Sequence, residues 1–309
     1  MQKIVIALQG GLGNQMFQYA AGKAAALRTG ADLMVDLTWL RRWRNKLDTP
    51  RDYELNCFPA LEDIPVADFI QCRQLGLIDH FDASLSGKLN RRLLRAIRRW
   101  VPRKSFIREP RSCRYQELSQ RTLHGDVYLD GYWQSESYFT DFANRICNDF
   151  TFSAMTDSRN LELLDKISRS SSSVSLHVRR GDYIHNTKTL AYHGGICTME
   201  YYRQAIQKTK DRLGEPLFVV FSDDPHWVRK NFILSVNTVY VDWNSGDNSF
   251  RDMQLMSSCD HHIIANSSFS WWGAWLGRNP GNIVIAPRRW FNDCSLDSSG
   301  VVPRQWLTI

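Results

Sequence analysis

"KIVIALQGGLGNQMFQYAAGKAAALRTGADLMVDL", residues 3–37, is the stretch whose reading decides the fold. KIVIAL (3–8) is an apolar run of strand length, GGLGNQ (10–15) a glycine-rich turn, and MFQYAAGKAAALRTG (16–30) an alanine-rich helix that Gly30 closes. ADLMVDL (31–37) is the next strand. A strand, a helix and a strand in that order make a βαβ unit. Such crossovers join parallel strands, which places the glycine turn at the carboxyl end of the first.

Working outward, residues 41–125 are punctuated by Pro50, Pro59, Pro65, Pro102 and Pro110 and hold only short helical pieces. VYLDGYW (127–133) reads as a strand leading into a helix over SESYFTDFANRICNDF (135–150). From about residue 155 the alternation is regular. Strands at 173–178, 217–221, 238–243, 261–265 and 282–287 are separated by helices over 199–214, after SDDP (222–225), over 251–259 and over NSSFSWWGAWL (266–276). This is a second doubly wound α/β sheet. The length of 309 residues exceeds the roughly 100–200 of one domain, so two packed domains are expected rather than one large one.

Composition bounds the function. Hydrophobic content of 43% and charged content of 23% are those of a globular protein. No run of about 18 uninterrupted apolar residues could cross a bilayer, and the first apolar run is too short for a signal peptide. A cytoplasmic protein is expected. The seven cysteines are scattered and never in a CxxC pair, which argues for reduced packing residues rather than disulfides or zinc ligands. The sequon at Asn266 would then meet no glycosylation machinery. The net charge of +7 resides in one segment, KLNRRLLRAIRRWVPRK (88–104), which holds eight bases and no acid. Leu89, Leu93, Ile97 and Trp100 fall there at helical spacing. The segment reads as a surface helix docking its stripe on the core, or as one lying peripherally on an anionic membrane, with nucleic acid the weakest reading.

In open parallel sheets ligands bind beyond the carboxyl ends of the strands. Three strands of the second half end there in unusual polar loops: HVRRGD (177–182), SDDP (222–225) and NSSFS (266–270). Side chains alternate along a strand, so His177 and Arg179 share one face and Val178 and Arg180 the other. Arg179 is the candidate ligand contact, because a guanidinium stays charged and its planar fork matches a diphosphate. Arg180 is expected to pair with an acid, Asp182 being the nearest in sequence, while Gly181 lets the chain turn. Of Asp223 and Asp224, one should cap the helix that Pro225 opens, leaving the other free to accept hydrogen bonds from a guanine edge. The Ser267, Ser268 and Ser270 hydroxyls, with the amides at the following helix's N-terminus, make an anion cradle that needs no metal. Trp271, Trp272 and Trp275 suit the core. His261 and His262, adjacent on a strand, face opposite sides and cannot chelate one ion together.

The GGLGNQMF turn invites a rival reading as a dinucleotide fingerprint, hence a nicotinamide oxidoreductase, with Asp36 at the end of the second strand. Met16 in the third glycine position, and the amides of Asn14 and Gln15, weaken it.

Five stretches in this order resemble the α-1,2-fucosyltransferases of the bacterial lipopolysaccharide and animal blood-group type: LQGGLGNQMFQYA (8–20), DGYWQSESYF (130–139), SLHVRRGDY (175–183), VFSDDPHWV (220–228) and IIANSSFSWWGAWL (263–276). The resemblance implies a GT-B fold, two Rossmann-like domains facing a cleft, here 1–153 on the acceptor side and 154–309 binding GDP-β-L-fucose, with no metal required. It implies that Arg179 binds the β-phosphate, His177 and one of Asp223 and Asp224 the guanosine, and Ser267, Ser268 and Phe269 the diphosphate. Gly11, Asn14 and Gln15 would reach the fucosyl unit. The implied reaction is an inverting transfer of fucose to O2 of a galactose-terminated glycan, with Arg179 stabilising the leaving GDP and Asp182 as the first candidate base.

Overall fold

The computed structural model describes residues 1–43, 51–68, 106–110, 112–181, 186–232 and 237–309. The basic segment 88–104, expected as an amphipathic helix, lies outside these residues, as does Asp182. The chain divides into two compact units, Met1–Phe150 and Thr151–Ile309. Both are built on all-parallel α/β sheets.

In the first unit β1 (Lys3–Ala7), α1 (Leu12–Thr29) and β2 (Asp32–Asp36) form the expected βαβ unit, with Lys3 opposite Asp32 and Ala7 opposite Asp36. After α2 (Thr38–Trp43), β3 (Phe106–Arg108) and β4 (Val127–Asp130) complete a sheet in the order β2-β1-β4-β3. The chain thus runs outward from β1 on one side and returns to pair β4 on the other. Gly22 lets α1 settle onto this sheet, since a Cβ there would lie 3.0 Å from Leu33 Cδ1 and 3.1 Å from Ile6 Cβ. Gly30, in the left-handed region at φ +67°, ends the helix and donates its N–H to the Ala26 carbonyl.

Two expectations for this unit are corrected. The first helix starts at Leu12, four residues earlier than read, because Gly11 serves as its N-cap and Glu54 Oε2 accepts the Leu12 N–H at 3.0 Å. The stretch 135–150 is not one helix. It makes 3₁₀ turns at Glu136–Tyr138 and Thr140–Phe142 before α3 (Ala143–Asp149). The adjacent rings of Tyr138 and Phe139 both go inward, one edge-on to Trp133 and the other against Phe17, and the backbone breaks at Phe139 to allow it.

The second unit begins with α4 (Ser158–Arg169), capped by the Asp157 side chain. Then follow β5 (Ser173–Val178), α5 (Thr187–His193), α6 (Met199–Leu213) capped by Thr198, β6 (Leu217–Ser222), α7 (Pro225–Asn231) and β7 (Thr238–Val241). α8 (Phe250–Ser257), β8 (His261–Ile263), α9 (Ser268–Leu276), β9 (Val284–Ala286) and β10 (Leu307–Thr308) complete it. The sheet order is β10-β9-β8-β5-β6-β7. Counted from β5, this is the doubly wound order 3-2-1-4-5-6, whose direction of winding reverses between β5 and β8.

Strand alternation produces two cores on the two faces. Val174, Leu176, Val178, Phe218 and Val220 pack with Tyr202 of α6 and Val228 of α7. Leu217, Val219, Phe221 and Val241 pack on the other face with Leu163 of α4 and Leu255 and Met256 of α8. Trp271 and Trp272 are fully buried, and the Trp271 indole donates to the Val301 carbonyl at 2.8 Å. Among the described residues no helix is long and apolar enough to cross a membrane, and none of the described cysteines is in a disulfide.

Candidate active site

The reversal between β5 and β8 makes a crevice at their carboxyl ends, and the loops read from the sequence meet there. β5 is buried along its whole length and delivers His177, Arg179 and Arg180 to its edge. Arg179 Nη1 lies 3.2 Å from Asp223 Oδ2, with about a fifth of its side chain exposed (21%). The other oxygen of Asp223 accepts the Arg180 backbone N–H at 2.8 Å. A Cβ on Gly181 would stand 2.6 Å from Asp223 Oδ2, so only glycine lets that carboxylate close over the strand end.

Arg180 does a different job. Its guanidinium lies 3.5 Å above the Trp227 ring, and Nε reaches Asp224 Oδ2 at 3.4 Å. Asp224 also caps α7, accepting the Trp227 N–H at 3.1 Å. Arg180 therefore fastens α7 to the end of β5 through a cation–π contact and an ion pair. Among the described residues its acid is Asp224, Asp182 lying outside them, and neither Asp223 nor Asp224 is left over as the free carboxylate the sequence suggested. The two arginines diverge to opposite faces because strand alternation continues through them.

Across the crevice β8 leads into α9. Asn266 is buried, its amide donating to the carbonyls of His193 and Trp290 at 3.1 and 3.2 Å, which accounts for the sequon without glycosylation. Ser267 occupies the N-cap position of α9 in extended conformation, yet its hydroxyl makes no capping bond. The first-turn N–H groups of Ser268, Phe269 and Ser270 have no acceptor within the helix, as in any helix start, and carry its positive dipole end. Phe269 packs 6.0 Å from the His177 imidazole. His177 itself is buried, and among the described residues no partner bonds its Nδ1. Burial and the neighbouring Arg179 charge pull its pKa down to about 4, so it is a neutral hydrogen-bonding group at pH 7.

The structure adds a residue that the sequence reading missed. Asp252, in the first turn of α8 beyond β7, sits on the same face of the sheet as His177 and Phe269. Its Oδ1 accepts from Asn244 at 2.8 Å, and Asn244 is held in turn by Asn160. Burial pushes its pKa up to about 7. A desolvated carboxylate with one oxygen engaged suits paired N–H donors, such as the guanine edge that had been assigned to Asp223 or Asp224. The adjacent histidines of β8 are structural. His262 Nδ1 lies 2.8 Å from Ser175 Oγ, and His261 Nδ1 accepts the Ile283 N–H at 2.9 Å.

In the first unit the equivalent reversal lies between β1 and β4. Gly10 turns at φ +77°, and a Cβ there would fall 2.5 Å from Asn14 Nδ2. Gln15 is buried. Its amide donates to the Gly10 and Asp52 carbonyls at 2.9 and 2.8 Å and its oxygen accepts the Glu54 N–H at 3.0 Å. It thus shapes the glycine loop instead of presenting a free amide. Asn14 is half-buried, and its Oδ1 accepts from Gln134 Nε2 at 2.7 Å, tying the loop to the end of β4. Gly11 faces Arg51, whose Nη1 would be 3.4 Å from a Cβ. Asp36, the ribose contact of the dinucleotide reading, is buried and bonded to Tyr128 Oη at 2.8 Å and to the Thr38 N–H at 2.9 Å. That arrangement gives the dinucleotide reading no ribose carboxylate.

Two parallel doubly wound units, with a pair of arginines at the switch point of the second, have the architecture of the GT-B class of glycosyltransferases. The solved structure of fucosyltransferase NodZ from Bradyrhizobium shares this fold at a TM-score of 0.51 and 16% identity, over 96% of each chain. The profile of Glycosyl transferase family 11 matches residues 107–309. Along its whole length the chain is 34% identical to an α-1,2-colitosyltransferase of Escherichia coli, covering 99% of that protein. Over 52% of the chain and 45% of the relative it is 31% identical to galactoside 2-α-L-fucosyltransferase SEC1 of Bos taurus. The chain belongs to glycosyl transferase family 11.

Proposed function

We propose that the protein transfers L-fucose from GDP-β-L-fucose to O2 of a galactose residue with inversion, forming an α-1,2 linkage in a surface glycan. The single observation that carries this reading is the meeting of Arg179, His177 and the open N-terminus of α9 at one switch point. Arg179 would exchange its Asp223 partner for the β-phosphate, and the amides of Ser268 and Phe269 would hold the diphosphate with the Ser267 hydroxyl. His177 and Asp252 would bind the guanosine. As the acceptor oxygen attacks the anomeric carbon, the bond to GDP breaks and negative charge grows on the departing phosphate, where a fixed guanidinium and a helix dipole stabilise it most. Protein groups supply that positive charge, so turnover should survive chelation. Asp182 remains our candidate for the base that takes the acceptor proton.

The galactoside fucosyltransferase relative supports the sugar and acceptor. The colitosyltransferase relative, similar over the whole chain, favours a second reading in which the α-1,2 linkage is kept and colitose is transferred. Incubating the protein with GDP-fucose or GDP-colitose and a panel of β-galactosides, with and without chelator, tests both. A fucosylated product whose new linkage is α-1,2 supports the first reading. A product only from GDP-colitose supports the second, and turnover lost on chelation removes the metal-free mechanism.

A further inference from the structure

The described residues contain two non-glycine positions in the left-handed region, Cys113 at φ +56° and Trp133 at φ +55°. Both belong to one assembly at the carboxyl edge of the first unit's sheet, where β3 and β4 end side by side. Such backbone is strained and persists only where the surroundings fix it. Here the fixing group is Glu109, the residue after β3. Its two carboxylate oxygens accept the consecutive N–H groups of Tyr132 and Trp133 at 2.7 and 3.0 Å. Gly131 permits the approach, since a Cβ there would lie 2.4 Å from Glu109 Cβ. Trp133 is wholly buried and anchors the loop, while Gln134 bonds it to Asn14 of the glycine loop at 2.7 Å.

What this clamp presents is Tyr132. It follows a buried strand and precedes a buried tryptophan, yet 40% of its surface is exposed. Burial, with the charges of Glu109, Cys113 and Asp130 nearby, raises its phenol pKa. An aromatic face fixed at a sheet's carboxyl edge is the complement of the apolar C–H face of a pyranose.

We propose that Tyr132 is the acceptor-sugar platform of the first unit, stacking on the galactose ring, and that Glu109 is the positioning residue that holds it. The inference rests on the galactoside-acceptor reading above and adds a binding residue to it. Methyl β-D-galactoside is the probe, titrated by saturation-transfer NMR into wild type, Tyr132→Ala, Tyr132→Trp and Glu109→Gln. Thermal unfolding serves as the control for folding. Tyr132→Ala should weaken binding about tenfold. Tyr132→Trp should retain binding, and Glu109→Gln should weaken it with the ring still present. In turnover assays the acceptor KM should rise in step while the KM for GDP-fucose moves by less than twofold. Equal galactoside binding by wild type and Tyr132→Ala, no binding by wild type, or a change confined to the donor KM would each overturn the proposal. The two claims separate in the assays. Tyr132-dependent galactoside binding without fucosyl transfer sinks the functional reading alone, and fucosyl transfer indifferent to Tyr132 sinks this one alone.

Discussion

Neighbouring arginines in one motif have opposite duties, and mutation should separate them. Arg179 is partly exposed at the switch point and paired with Asp223, so its removal is expected to lower kcat about 100- to 1,000-fold with the fold intact. Lysine should not rescue it, since a point charge lacks the planar fork. Arg180 is stacked on Trp227 and paired with the α7 cap, so Arg180→Ala should lower the melting temperature more than it lowers kcat in proportion. Steady-state kinetics alongside calorimetry on both variants distinguishes the two. The divergence was legible in the sequence, because alternation along a strand fixes it. Asp252 was not legible. It sits in an amphipathic helix with no motif around it, and only the tertiary burial that raises its pKa sets it apart from other surface acids.

At the scale of elements, loop geometry depends on contacts distant in sequence. The βαβ order could be read from residues 3–37 because periodicity and glycine placement are local signals. The true start of α1 could not, since its first N–H is satisfied by Glu54, 42 residues away. β3 and β10, three and two residues long, are too short for any period to register and exist through their neighbours. Glu54→Ala should therefore cost about 1 kcal/mol in denaturant unfolding, the usual effect of losing a helix cap. Gly181→Ala addresses the other loop. Its methyl must displace the Asp223 carboxylate, breaking the bonds to Arg179 and to the Arg180 N–H. The expected outcome is a raised KM for the nucleotide donor with little change in unfolding temperature, measured on the purified variant. An unchanged KM would mean that Asp223 does not set the position of Arg179.

At the scale of the whole molecule, the buried titratable groups set the pH dependence of stability. His177 and His262 are neutral when folded, with pKa values drawn by burial from 6.5 to about 4 and about 3. Below pH 6.5 the unfolded chain takes up protons there that the folded chain refuses, so stability is lost as pH falls, down to about 4 for His177 and about 3 for His262. Asp252 acts in the opposite sense. Its pKa rises from 3.8 to about 7, so the folded chain holds a proton the unfolded chain has released, and stability declines as pH climbs from about 4 to 7. Asp252→Asn should raise the melting temperature at neutral pH and leave the acid limb in place, while weakening GDP binding. That combination, followed by scanning calorimetry and a GDP titration, marks a group kept for its ligand at the expense of the fold.

The catalytic expectations depend on the second unit's switch point gripping the donor diphosphate, and a crystal structure of the protein with GDP examines that claim most directly. The account predicts the β-phosphate within hydrogen-bonding distance of the Arg179 guanidinium and the diphosphate against the first-turn amides of α9. A nucleotide bound elsewhere, with Arg179 still paired to Asp223, would contradict it.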